Sequence, residues 1–212
     1  MLIPRYYFSN DYRDFYEYFL TQPHTVKIFR KDECLWNYGD PITHIYYIIS
    51  GAAMTTLEHE NGSRKISSFH GEGTVFPGFH RSVFKIEQSI ATRAVTDMET
   101  LCFTGAAFLE MLSENSRLML STLDWYASYI NLLLYESAHQ DYNSSFVKLC
   151  NLLYLFTQNS PGGRTNRIDL TQENIAEILT VTRVNAARSL GRLRDEKIIV
   201  PHRKWIEIID QK

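Results

Sequence analysis

The sequence predicts an α+β chain in three stretches: a strand-rich first half, one long helix, and a C-terminal winged helix-turn-helix. Three observations carry that expectation. Two β-rich runs, HIYYIISGAAMTTLEHE and SRKISSFH, flank Asn61-Gly62, the dipeptide that most readily takes the positive φ angles of a two-residue hairpin turn. From Ser113 to Ser160 there is neither Gly nor Pro, and the apolar residues recur at helical spacing. The last 45 residues hold two short helical patterns separated by a tight turn.

Eight aromatics crowd residues 1–20, and Tyr12, Phe15, Tyr16 and Phe19 fall at helical spacing, so a short helix packed on the strand-rich domain is expected. Residues 25–104 read as strands. Glycines at 39, 51, 62, 71, 73 and 78 suit short strands joined by tight turns, as in a roll or barrel. Met119, Leu123, Tyr126, Ile130 and Leu133 then step by four and three, a heptad seam that serves both a core and a dimer contact. Ser113-Glu114-Asn115 supplies cap-type side chains at its start. Residues 144–158 form a second apolar helix, and SPGGRTN breaks the chain after it. The expected boundaries are 1–112 for a sensing domain, 113–140 for the long helix and 141–212 for the DNA-binding domain.

The C-terminal stretch is the most informative. Arg167 to Leu170 reads as a short strand, and Thr171 as the N-cap of a helix with Ile175, Ile178 and Leu179 on one face and the small Ala176 at a crossing point. Thr180-Val181 makes the turn. Thr182 caps a second helix, in which Val184, Ala187, Leu190, Leu193 and Ile198 are spaced for a buried side. HRKWIEII alternates as the second strand of a wing. The second helix carries Arg183, Arg188, Arg192 and Arg194 with no acid before Asp195. Net charge is −2, yet residues 1–140 hold 11 Lys/Arg against 16 Asp/Glu, and residues 141–212 hold 11 against 8. The basic end is a local feature of the kind that meets phosphate. Arg and Asn are the side chains suited to bidentate contact with guanine and adenine. The expected DNA-reading set is Thr171, Thr182, Arg183, Val184, Asn185, Arg188 and Arg192.

Other functions find less support. No run of about 18 apolar residues occurs, so no membrane span is expected. The N-terminus lacks a basic region followed by an apolar core, so a cytoplasmic protein is the default. Cys34, Cys102 and Cys150 lie far apart and read as reduced thiols, with no metal site. No paired acid/base constellation or phosphate loop points to an enzyme, and no cofactor is implied.

LTQENIAEILTVTRVNAARSLGRLRDEKII resembles the helix-turn-helix of the CRP/FNR family of transcription regulators, and YGDPITHIYYIISGAAMTTLEHENGSRK resembles that family's cyclic-nucleotide-type β-roll. The resemblance implies promoter DNA carrying an inverted repeat, a homodimer, RNA polymerase and a small-molecule effector as partners. It also implies a phosphate cassette of Gly-Glu followed by Arg-Ser, where this chain has Gly78-Phe79 and Gln88-Ser89. A phenyl ring accepts no hydroxyl hydrogen bond, and a neutral Gln balances no phosphate charge. Phe76, Phe79, His80 and Phe84 from the roll, with Tyr126, Tyr129, Ile130 and Leu133 from the long helix, would form walls suited to a flat apolar ligand. That is similar to the branch of the family responsive to halogenated phenols; equally, the rings fill a core. A redox or haem sensor using Cys or His is the alternative. Cyclic AMP is expected not to bind, and calorimetry that finds low-micromolar affinity overturns this reading of Phe79 and Gln88.

Overall fold

The computed structural model describes residues 3–140, 142–158 and 165–209. The core of the SPGGRTN break, residues 160–164, lies outside them. Contacts divide the chain into two units: residues 7–63 with 67–129, and residues 1–6 and 64–66 with 130–212.

The first unit is the roll. Its strands in chain order are β1 (Tyr7–Phe8), β2 (Thr25–Phe29), β3 (Cys34–Trp36), β4 (His44–Ser50), β5 (Ala52–Glu58), β6 (Arg64–Gly71), β7 (Val75–Phe76), β8 (Ile90–Ala94) and β9 (Met98–Thr104). They form a four-stranded sheet, β2-β9-β4-β7, and a five-stranded sheet, β1-β6-β5-β8-β3. Phe76 of the first sheet stacks on His70 and Trp36 of the second, with ring centroids 3.6 Å and 5.5 Å apart, so the two sheets share one aromatic core. A short helix, α1 (Tyr16–Thr21), comes directly after a 3-10 turn over Arg13–Phe15. As the N-terminal spacing predicts, Tyr12, Phe15 and Phe19 are buried there. Gly51 turns the chain from β4 into β5 at φ +85°, where a Cβ would meet the Asp97 carbonyl at 2.2 Å. No L side chain fits that corner.

The β5–β6 hairpin departs from the expected two-residue turn. The His59 N–H donates to the Ser63 carbonyl at 2.9 Å and the Gly62 N–H to the His59 carbonyl at 2.8 Å. Gly62 has positive φ, and Asn61 does not. A type I turn followed by a left-handed glycine has the right twist, so three residues close the loop instead of two.

Thr104 caps α2 (Gly105–Glu114) through the Ala107 N–H at 3.2 Å. Ser113 and Glu114 therefore end one helix instead of starting the next. The long helix, α3 (Ser116–Gln140), begins after Asn115, whose Oδ1 accepts from the Leu118 N–H at 3.1 Å. Its seam is exposed: Met119 is 43% accessible, Leu123 57%, Ile130 53% and Leu133 46%.

The second unit holds the C-terminal part of α3, then α4 (Ser145–Gln158), β10 (Arg167–Ile168), α5 (Gln172–Leu179), α6 (Arg183–Asp195), β11 (Ile199–Pro201) and β12 (Ile206–Ile208). The three strands order as β10-β12-β11. Ile206 and Ile208 face inward, as the alternation predicts. Helix α6 stops where the Ile198 N–H reaches the Leu193 carbonyl and the Lys197 N–H the Arg194 carbonyl, both at 2.9 Å. That paired closure needs a left-handed residue between helix and strand, and Lys197 supplies it at φ +60°. A side chain there costs about 1 kcal/mol. Lys197→Gly should therefore raise the unfolding free energy by about 1 kcal/mol. Urea denaturation that finds no gain removes the strain at this position.

Candidate DNA-reading helix and effector cluster

The helix-turn-helix is built from two capped helices and a left-handed corner. Thr171 caps α5: its hydroxyl accepts from the Asn174 N–H at 3.1 Å, while Asn174 Oδ1 accepts from the Thr171 N–H at 3.0 Å. Such a cap contributes about 1 kcal/mol. Thr180 turns the chain at φ +51° and ψ +44°, and the Val181 N–H closes onto the Ala176 carbonyl at 3.0 Å. This is the turn geometry that a glycine would supply, obtained without one. Thr182 then caps α6 by accepting from the Asn185 N–H at 3.2 Å.

The buried side of α6 differs from the expected one. Ala186, Ser189, Leu190 and Leu193 are buried against α4 and α5, whereas Val184 is 65% accessible and Ala187 is exposed. Ile198 lies beyond the helix end. At 100° per residue, 186, 189, 190 and 193 share one face and 184 lies opposite. The small Ala186 and Ser189 let the neighbouring helices approach; spacing among larger residues alone missed that signal.

The outward face of α6 therefore presents Val184, Ala187, Arg188 and Gly191 along its middle. Arg188 Nη1 donates to Asn185 Oδ1 at 3.3 Å and, among the described residues, pairs with no carboxylate. The other arginines are engaged. Arg183 pairs with Glu173 of α5. Arg194 pairs with Asp195 at 2.8 Å. Arg192 donates to Glu196 at 2.9 Å, and its guanidinium lies 4.0 Å from the Phe146 ring centre on α4. Arg192 thus covers the helix flank towards α4. Thr171 spends its hydroxyl on the cap. Behind the wing, Trp205 is stacked on His202 at 3.7 Å and lies under the Arg167 guanidinium at 4.6 Å.

The expected effector residues separate into four groups. Gly78, Phe79 and Tyr126 come together: the Tyr126 hydroxyl donates to the Phe79 carbonyl, and a Cβ on residue 78 would meet that hydroxyl at 2.6 Å. His80, Phe84 and Gln88 lie on an exposed loop, where His80 pairs with Glu87 at 3.2 Å and the Gln88 carbonyl accepts from the Gly39 N–H at 2.9 Å. Ser89 ends a short 3-10 turn in the same segment and is half-buried. Phe76 departs from the expected wall and joins the buried stack on His70. Ile130 and Leu133 belong to the second unit. Sequence reasoning missed the centre of the cluster, which is Phe8, Trp36, His70 and Trp125. Phe8 is fully buried, with His70, Trp125 and Tyr129 rings 5.6–5.7 Å away. Tyr129 lies parallel to Trp125 at 5.5 Å. The density of aromatics in residues 1–20 was the available signal, but it named no partner.

Residues 26–115 match the cyclic nucleotide-binding domain family, and residues 147–212 match the Crp-like helix-turn-helix domain family. The chain belongs to the CRP/FNR family of DNA-binding transcription regulators. It is 27% identical over 191 residues to the global nitrogen regulator of Nostoc sp., covering 88% of this chain and 86% of that one. It is 26% identical over 190 residues to the fumarate and nitrate reduction regulatory protein of Escherichia coli, covering 86% and 74%. Among solved structures, CprK complexed with OCPA aligns with a TM-score of 0.73 at 18% identity, covering 98% of this chain and 95% of that one.

Burial pushes the Tyr46, Tyr47 and Tyr126 hydroxyls up to about 12. An acid whose folded pKa is raised stabilises the fold below its unfolded value near 10 and loses that contribution as pH rises towards 12. The urea midpoint should fall across that window and fall less in Tyr126→Phe. An identical pH profile in the two proteins removes Tyr126 from this account.

Proposed function

We propose that this regulator acts as a homodimer that reads an inverted repeat with α6 and is gated by a small aromatic effector at the roll cluster. The observation that carries the reading is the outward face of α6: a capped helix N-terminus with Arg188 unneutralised at its middle and small or aliphatic residues around it. Such a face fits the major groove, with the N-terminal amides near phosphate. Arg183 can exchange its exposed pairing with Glu173 for phosphate or guanine, since a surface ion pair contributes about 0–1 kcal/mol. Val184 offers methyl groups to thymine and accepts nothing from cytosine. The exposed seam from Met119 to Leu133 supports pairing of two copies through α3. Cluster composition supports an aromatic effector: rings and indoles hold a flat apolar body, and CprK has been solved with o-chlorophenolacetic acid.

Selection from random DNA tests the DNA reading. Half-sites about 34 Å apart are expected, with Val184→Glu shifting preference towards G·C and Arg188→Ala costing about 1–3 kcal/mol. Recovery of non-palindromic sites, or of sites indifferent to Val184→Glu, overturns the assignment. In sedimentation the chain should be a dimer at micromolar concentration, weakened by Ile130→Asp. A thermal-shift panel of phenols and aromatic acids, o-chlorophenolacetic acid included, should stabilise the chain by about 2.7 kcal/mol at 100 times the dissociation constant.

A further inference from the structure

Ten residues apart, Glu173 and Arg183 meet across the turn of the helix-turn-helix. Glu173 lies in the first turn of α5, two residues after the cap Thr171. A negative charge suits the amides at a helix start, so Glu173 is placed by its own helix. Arg183 is the first residue of α6. Its Nη2 faces Glu173 Oε1, and among the described residues neither side chain has another partner. Both are exposed, with 68% of the Arg183 side chain and 52% of the Glu173 side chain accessible. The other paired arginines of α6, Arg192 and Arg194, use acids at the end of their own helix. Arg183 is the one tied to α5. A mere staple between the helices explains the pair poorly. Ile175, Ala176, Ile178 and Leu179 already bury one side of α5, and an exposed ion pair adds little to that.

We propose that Glu173 determines DNA specificity as a positioning residue for Arg183: it withholds the guanidinium from phosphate and leaves it open to guanine. This role of Glu173 rests on the DNA reading proposed for α6. Phosphate and guanine are unequal targets for an arginine held in this way. Phosphate is a second anion. To reach it, Arg183 must leave Glu173 or bring a carboxylate up to the backbone charge. A guanine edge is neutral, and its O6 and N7 need two N–H donors in one plane. A guanidinium has two edges that offer such a pair, and Nη2 carries one hydrogen on each. A carboxylate on one edge therefore leaves the other free. It also fixes the plane of a side chain that otherwise samples many rotamers. Holding the charge lowers the grip on any DNA, and holding the plane sharpens the choice of base.

The test is binding of the full chain to random DNA and to the site it selects, across a salt series and with each base pair of the site changed in turn. Glu173→Gln keeps the shape of the side chain and removes its charge. It should tighten binding to random DNA by about threefold or more and steepen the salt dependence by about one phosphate contact. Discrimination for guanine at one position of each half-site should fall by about threefold or more. The urea midpoint should not move, as expected for an exposed pair. On an Arg183→Ala background, Glu173→Gln should leave discrimination within about 1.5-fold and show less than about half of the change in salt dependence. Selected and random DNA that tighten alike, a loss of discrimination that persists without Arg183, or a change in stability alone would each overturn the role of Glu173 while the reading by α6 stands. Arg183→Ala that alters neither affinity nor discrimination overturns that role and counts against the reading by α6 as well.

Discussion

A carboxylate shut away from water has to be held by opposite charge and hydrogen bonds, and Glu136 is such a carboxylate. Its two donors come from distant parts of the chain, Tyr6 and Lys65. Meeting the demand of one side chain on α3 therefore brings Tyr6 and the start of β6 together. Burial also pushes the Tyr6 hydroxyl well above its ordinary range, with the Glu136 charge adding to the effect, so Tyr6 remains a donor.

Close approach organises the rest. In the roll, Gly51 removes the Cβ that would strike the Asp97 carbonyl, and Gly78 leaves room for Tyr126. In the DNA-binding unit, Ala186 and Ser189 do comparable work on α6. The left-handed corners at Thr180 and Lys197 are occupied by residues with a Cβ, so packing and hydrogen bonds outweigh local preference there.

The sequence was most legible where local rules act alone. Thr171 and Thr182 are caps because their side chains answer amides three residues ahead, and that spacing can be read directly. The long helix is legible from its period, although Asn115 and not Ser113 caps it. The Asn61-Gly62 pair located the hairpin but not its loop length, because either loop satisfies the strand twist. Val184 was ambiguous: valine suits a buried face and a thymine contact alike, and only the position of Ala186 and Ser189 decides the phase. Least legible was the aromatic cluster. A two-residue parallel strand such as β1 has no period to detect, and its partner lies some 60 residues away. Phe8, His70 and Trp125 meet only in three dimensions.

If α6 reads DNA as proposed, its arginines have a kinetic consequence. Three of the four already face a carboxylate: Glu173, Glu196 or Asp195. Random DNA offers phosphate but no matching base edges, so it must draw those arginines from partners that stay behind as negative charges beside the backbone. Non-specific grip is thereby weakened more than the count of arginines suggests. The dwell time on unrelated sequence shortens, and the protein spends less of its search held at the wrong place.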